Sequence, residues 1–99
     1  KSENSETIRD RVLSAYNRQL NRQGKSNDLL TPDEVEKMVP LDKENTQLLE
    51  AVIDKLQLSA RAYHRILKVA RTIADIDSSE TVDKQHLIEA IGYRRNNNA

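Results

Sequence analysis

The sequence predicts an all-α fold, a small bundle of about five helices, and three features of its 99 residues support this class. Phe and Trp are absent, so Leu, Ile, Val and Ala must form the core, which suits packed helices better than β-sheets. Two glycines and two prolines are too few for a turn-rich β-fold. Hydrophobic residues make up only 36% of the chain, but they recur at helical spacing, which argues against disorder.

The first predicted helix starts at Ser5, which can act as its N-cap. It ends at Gly24, since glycine tolerates the positive φ found just past a helix end. Residues 25–28 then have the composition of a loop. The apolar side chains of this helix recur at helical spacing, at Ile8, Val12, Ala15, Tyr16 and Leu20.

The second predicted helix is short and opens with a capping box. Thr31 is the cap, Pro32 takes the first helical position, and Glu34 can reach back to the cap. Pro40 ends this helix. Asp42 caps a third helix. Its stripe is predicted to face the core and consists of Asn45, Leu48, Leu49, Val52, Ile53 and Leu56.

The fourth predicted helix, 59–77, is the longest and most regular, and Ser59 is its cap. Residues 77–80 break the helical pattern, and Asp83 caps a last helix, with Val82 and Leu87 as a hydrophobic staple. The whole chain is predicted to be one domain, 1–99, with flexible ends at 1–4 and 95–99. On a helical wheel the inward side of the fourth helix carries Tyr63, Ile66, Leu67, Ala70, Ile73 and Ala74.

The opposite side of the fourth helix is predicted to be uniformly basic and exposed. Its members are Arg61, His64, Arg65, Lys68 and Arg71. A charged helix face is most often a solvated surface. Arg61 differs, because it lies in the first turn, where the helix dipole disfavours cations. An arginine beside free backbone N–H groups offers a local site for an anion such as phosphate.

The sequence contains no recognisable catalytic residues or metal ligands. Cysteine is absent, and His64 and His86 lie on different helices without a suitable carboxylate spacing, so no metal site is expected. A Ser/His/Asp arrangement and a Gly-rich phosphate loop are also missing. We therefore expect that these residues alone are not an enzyme.

The charge balance and the missing apolar runs limit the kinds of partner. The 16 basic and 16 acidic residues give a formal net charge of zero, which gives no argument for nucleic acid or membrane. No apolar run approaches the roughly 20 residues of a membrane span. We expect no membrane partner and a cytoplasmic location. Because the only methionine is Met38, the chain is expected to be excised from a longer protein.

The stretch SARAYHRILKVARTIADI at 59–76 resembles the C-terminal domain of the magnesium-chelatase-like AAA+ ATPases of the ComM and YifB type. The flanks resemble the family more loosely, at 9–19 in the first helix, at 27–29 in the loop and at 86–94 in the closing helix. The resemblance covers nearly the whole chain and is most specific in the middle.

The resemblance implies that the domain is the helical lid that follows a nucleotide-binding core. The family's sensor-2 arginine, which reaches the γ-phosphate of ATP, matches Arg61 within Leu58-Ser59-Ala60-Arg61. Further contacts to phosphate or nucleic acid are expected from Arg65, Lys68, His64 and Arg71.

The resemblance also implies what lies outside these residues. The Walker A loop, Walker B carboxylate and arginine finger of the family are absent, so ATP and Mg²⁺ are expected in the intact protein and no cofactor in the isolated domain. The implied partners are the upstream AAA+ core, a homo-oligomeric ring and DNA. In such a ring, ATP binding would close the lid and hydrolysis would release it.

Two other functions remain open at this point. The basic face of the 59–77 helix could bind nucleic acid, in which case binding would fall steeply with salt. The balanced charge and the lack of a stacking aromatic residue argue against tight binding of this kind. Alternatively, the bundle could be a protein-interaction module whose basic face docks on an acidic partner.

Overall fold

The structure is a computed structural model that describes the backbone of residues 5–97 and the side chains of residues 7–93. This part of the chain contains five α-helices and no strand, which confirms the predicted all-α bundle. The residues predicted as a loop after the first helix lead into a 3-10 turn, Asn27–Leu29. The helices are α1 (Ser5–Gln23), α2 (Pro32–Met38), α3 (Lys43–Leu56), α4 (Ala60–Ile76) and α5 (Lys84–Asn97).

Local capping interactions set the helix boundaries, as the sequence predicts. Thr31 Oγ1 accepts a hydrogen bond from the Glu34 N–H at 3.3 Å, and Glu34 Oε1 accepts one from the Thr31 N–H at 2.9 Å. Asp42 Oδ1 accepts one from the Asn45 N–H at 2.8 Å. Gly24 has a φ of +80°, which ends α1. The side chain of Ser5, the predicted cap of α1, lies outside the described residues.

His86 takes part in the cap that starts α5. The backbone carbonyl of Asp83 accepts hydrogen bonds from the amides of His86 and Leu87, at 3.0 and 3.1 Å. In return, Nδ1 of the buried His86 ring accepts the Asp83 N–H at 3.0 Å. A neutral ring that accepts at Nδ1 carries its proton on Nε2, which lies 3.1 Å from Asp77 Oδ2. His86 is therefore a first-turn residue with a structural role.

The core forms around α4, which packs against α1, the 3-10 turn, α2 and α5. The predicted inward face of α4 is confirmed, because Ile66, Leu67, Ala70 and Ala74 are buried, while Tyr63 and Ile73 are partly buried against them. The main contributions from the other elements are Leu30, Val35, Val39, Leu49, Val82, Leu87 and Ala90. The fold thus holds α4 from several sides along its length.

Two of the predicted apolar stripes extend beyond this core. In α3, Asn45 and Leu49 are buried, but Leu56 at the end of the stripe is 45% exposed. In α1, Ala15 is the only buried member of the predicted stripe. The exposed fractions of the other four are 50% for Ile8, 51% for Val12, 48% for Tyr16 and 37% for Leu20. Periodicity therefore identified α1 as a helix, but the bundle covers only one edge of its apolar side.

None of the helices in the described part of the chain is long and apolar enough to cross a membrane. The predicted flexibility of the ends stays a prediction, because residues 1–4 and 98–99 lie outside the described residues. The backbone of α5 continues to Asn97, into the end that was predicted to be flexible.

Truncation of the inward face of α4 should destabilise the bundle. Ile66 and Leu67 are 1% and 2% exposed, so Ile66→Ala or Leu67→Ala should each lower the free energy of unfolding by about 2–5 kcal/mol through the cavity left behind. Urea denaturation followed by circular dichroism measures this. Leu29→Ala is the control, because Leu29 is 63% exposed and its truncation should have little effect. Equal stabilities of the three variants and the parent would contradict the packing described.

Candidate functional site

The start of α4 presents an unpaired arginine to solvent. Arg61 is the second residue of the helix and is exposed. It makes no hydrogen bond or ion pair with any residue that the structure describes. The predicted outward placement of this side chain is confirmed.

The backbone around Arg61 adds donors for an anion. Ser59 Oγ accepts the Ala62 N–H at 3.1 Å, which satisfies one amide of the first turn. The amides of Ala60 and Arg61 have no acceptor inside the helix, as at every helix start. The first turn contains no acidic residue. A guanidinium, two free amides and the positive end of the helix dipole therefore lie together, an arrangement that favours a bound anion.

Arg65 lies one helical turn after Arg61. It is also exposed and has no partner among the described residues. Side chains four residues apart are neighbours on a helix surface, so the two guanidinium groups can reach the same ligand.

His64 and Lys68, from the same predicted face, contact other elements of the bundle. His64 Nε2 lies 3.0 Å from Glu36 Oε2, and the His64 ring is partly buried. Lys68 Nζ donates to the backbone carbonyl of Asp28 at 3.2 Å. Both side chains lie on the predicted side of α4, but they help to hold α2 and the 3-10 turn.

The prediction that Arg71 lies on the exposed basic face is wrong, because its side chain is buried. Its exposed fraction is 3%. Its Nη1 and Nη2 donate to the backbone carbonyls of Glu80 and Ser79, at 3.0 and 2.7 Å. A helical wheel treats every turn of a helix alike, whereas the segment after α4 turns back and places its carbonyls beside Arg71 only. The basic face is therefore open near Arg61 and closed near Arg71.

A buried carboxylate connects α4 to α1 and the 3-10 turn. Asp75 is 2% exposed and accepts two hydrogen bonds from the guanidinium of Arg22, at 2.9 and 3.0 Å. Arg71 Nη2 lies 3.0 Å from Asp75 Oδ1, and Asn27 Nδ2 donates to Oδ2 at 3.0 Å. The backbone N–H of Asn27 donates a hydrogen bond to Gln19 Oε1 of α1 at 2.8 Å. We call Asp75, Arg71, Arg22, Asn27 and Gln19 the Asp75 network.

The electrostatics of the network keep Asp75 charged. Burial alone would raise the pKa of Asp75, but hydrogen bonds from Arg22 and Asn27, together with the positive charges of Arg71 and Arg22, outweigh it and lower the pKa. Burial lowers the pKa of Arg71, and the charge of Asp75 opposes that shift. The guanidinium remains protonated. Arg71 Nε is buried and lacks a hydrogen-bond partner among the described residues.

Sequence reasoning missed this network, although one signal was present. Asp75 follows Arg71 by four residues, which is the spacing of an ion pair on one helix face. Arg22 and Asn27 precede Asp75 by 53 and 48 residues, so no local pattern indicates them.

Removing the charge of Asp75 should destabilise the fold. Asp75→Asn leaves Arg71 buried without its counter-ion, which should lower the free energy of unfolding at pH 7 by about 3–5 kcal/mol. Asp54→Asn, at an exposed position of α3, is the control.

The pH dependence of Asp75→Asn gives a second test. The lowered pKa means that the unfolded chain takes up a proton more readily than the folded one. The contribution of Asp75 is thus fully present above its ordinary pKa of about 3.9 and is lost as the pH falls below that value. Urea denaturation at pH 7 and pH 3 should show a smaller loss for Asp75→Asn than for the parent. An equal loss in both would rule out this role for Asp75.

The fold and the site define a class of protein module, a small helical bundle that presents an exposed arginine at the start of a helix. Over residues 2–94 the chain matches the family described as magnesium chelatase, subunit ChlI C-terminal. The chain belongs to this family, which confirms the resemblance seen in the sequence.

Curated relatives support the same assignment. The chain is 47% identical over 92 residues to the uncharacterized protein YifB of Escherichia coli, and 44% identical over 94 residues to the competence protein ComM of Haemophilus influenzae. It is 45% identical over 94 residues to YifB of Salmonella typhimurium. These matches cover 93–95% of the chain but only 18–19% of each relative. The chain therefore spans about a fifth of the length of these relatives.

Proposed function

We propose that this chain is the C-terminal helical lid of a magnesium-chelatase-like AAA+ ATPase, in which Arg61 contacts the γ-phosphate of ATP bound by the preceding core domain. The observation that carries the proposal is the exposed, unpaired guanidinium of Arg61 in the first turn of α4. Membership of the family supplies the second support. We refer to the longer ATPase as the intact protein.

The chemistry of the helix start suits a terminal phosphate. A guanidinium donates two parallel hydrogen bonds to phosphate oxygens, and a lysine ammonium cannot reproduce this geometry. The free amides of Ala60 and Arg61 and the helix dipole add to the attraction. Arg65 would contribute a second positive charge one turn away. His64 and Lys68 lie on the same side and would add a weaker attraction for the phosphate.

The packing of α4 would transmit a phosphate contact at Arg61 to the whole bundle. The Asp75 network and the apolar core fix α4 to α1 and α5, so the backbone at Arg61 moves with the bundle. ATP in the core domain would hold the lid closed through Arg61, and hydrolysis would release it. In a homo-oligomeric ring of such subunits, the lid movement would be passed to the neighbouring subunit.

The remaining parts of the machine belong to the preceding core. Among the described residues there is no group of three or more side chains that could hold a metal ion, so residues of the core would bind Mg²⁺. Mg²⁺ neutralises charge on the phosphates during their transfer. In this proposal the intact protein acts in the cytoplasm and processes DNA. DNA processing is the task that the resemblance to a competence protein implies.

The alternative of a nucleic-acid-binding face finds less support in the structure. Of its five basic residues, Arg61 and Arg65 remain both exposed and unpaired, while Arg71 is buried. Two guanidinium groups form a small contact for a phosphate backbone.

Substitution of Arg61 in the intact protein tests the proposal. Arg61→Ala should lower ATP turnover at least tenfold, equivalent to a loss of about 1.4 kcal/mol in transition-state stabilisation. Arg61→Lys should recover only part of the activity, because the paired hydrogen bonds are missing. Steady-state ATPase assays measure both effects.

Two controls separate this role from folding. Arg18→Ala removes an exposed arginine of α1 and should leave turnover unchanged. Thermal melts of Arg61→Ala should match the parent, since Arg61 has no partner among the residues that the structure describes. Unaltered turnover in Arg61→Ala would refute the assignment of Arg61.

A further inference from the structure

The exposed apolar side of α1 is a feature that the proposed function leaves unexplained. Val12, Tyr16 and Leu20 follow one another at intervals of four residues and are 51%, 48% and 37% exposed. Leu13, beside them, is 52% exposed. On the helix these four side chains form a band next to the buried edge that Ala15 and Gln19 turn toward the bundle.

The band continues across the neighbouring helix. Val12 and Tyr16 line one side of a groove of about 350 Å³ whose other side is Thr72 and Ile76 of α4. Thr72 and Ile76 also line a second groove, of about 450 Å³, which extends to Tyr93 of α5. We call the band and the two grooves together the α1 trough. Most of the wall area of the trough is apolar, although Asp28, Lys68 and Glu89 also line it. A contiguous exposed apolar surface of this kind marks an interaction site.

The α1 trough runs along the second half of α4. It begins at Lys68, seven residues after Arg61, and ends at Ile76, 15 residues after Arg61. At 1.5 Å per residue these positions are about 10 and 22 Å from Arg61 along the helix. A ligand that contacts Arg61 therefore leaves the part of the trough around Thr72 and Ile76 uncovered. The trough needs an occupant of its own.

We infer that an apolar segment of the polypeptide preceding α1 covers the α1 trough in the intact protein, an inference that rests on the proposed function. The relatives are about five times longer than this chain, and the matching family is described as C-terminal, so most of their length precedes α1. That polypeptide is joined to α1, the element that carries the band. A tethered segment has a high effective concentration at the trough, which a separate partner lacks.

This arrangement makes α4 a rigid connection between two contacts. Its first turn meets the nucleotide through Arg61, and its last turns line the surface on which the preceding segment docks. A shift of the bundle that follows release of the γ-phosphate would then alter the docked surface about 22 Å away, because α4 spans that length. A change in the nucleotide contact at Arg61 would thus change the contact between the trough and the preceding segment.

Photo-crosslinking in the intact protein identifies the occupant. Tyr16→p-benzoyl-phenylalanine places a photoreactive ring in the band, where an aromatic side chain already sits half exposed. Irradiation followed by peptide mass spectrometry should give a crosslink to an apolar peptide from the region preceding α1. Mixing isotope-labelled and unlabelled subunits reports which subunit supplies that peptide, and the tether predicts that it comes from the same subunit.

Matched positions control for non-specific reaction. Leu56→p-benzoyl-phenylalanine labels an apolar side chain of similar exposure on α3, at 45%, and should give roughly tenfold less of the same crosslink. Val12→Glu, one turn from Tyr16, places a charge in the covered band and should lower the Tyr16 crosslink by a similar factor while the thermal melt of the bundle is retained.

Three results would overturn the inference. They are a crosslink from Tyr16 to any peptide of a second copy, a crosslink to another protein, and a yield at Tyr16 no higher than at Leu56. The Arg61→Ala assay is independent of all three. Normal turnover in Arg61→Ala with an intact Tyr16 crosslink rejects the nucleotide contact alone. Reduced turnover in Arg61→Ala without a Tyr16 crosslink rejects the occupant of the trough alone.

Discussion

The carboxylate of Asp75 is the group on which the arrangement of α1 and α4 depends. It accepts hydrogen bonds from Arg22 at the end of α1 and from Asn27 in the 3-10 turn, and it neutralises the buried Arg71 of its own helix. Each of these groups would be costly to leave buried alone, so they must assemble together. The second half of α4 is therefore fixed, and the connection from α1 to α2 is folded against it.

The same constraint explains why the first half of α4 is available for binding. The elements held by the Asp75 network cover only the C-terminal half of α4, and no carboxylate of the described residues approaches Arg61. A guanidinium without a partner at a helix start contributes nothing to the stability of the bundle. Its position is understandable if its partner is an anion outside the domain. The bundle therefore packs unevenly along α4. Its C-terminal half is held by the Asp75 network, and Arg61 at its start is left exposed for a ligand.

The sequence predicts well those features that depend on neighbouring residues. Capping at Thr31 and Asp42, the stop at Gly24 and the inward face of α4 all follow from local spacing, and the structure confirms them. Burial of Arg71 and exposure of the α1 band could not be predicted from local spacing. The first depends on how the segment after α4 turns back toward Arg71, and the second depends on where α1 crosses α4. Periodicity shows that a helix has an apolar side, but it does not show how much of that side the rest of the chain covers.

The buried Arg71 also determines what can be changed in the segment between α4 and α5. Its guanidinium donates hydrogen bonds to two carbonyls of that segment, those of Ser79 and Glu80. A longer connection would carry these carbonyls away from a cation that has no route to water. This corner of the bundle is therefore a poor place for a fluorescent label, an affinity tag or a natural insertion, although it joins two helices at the surface.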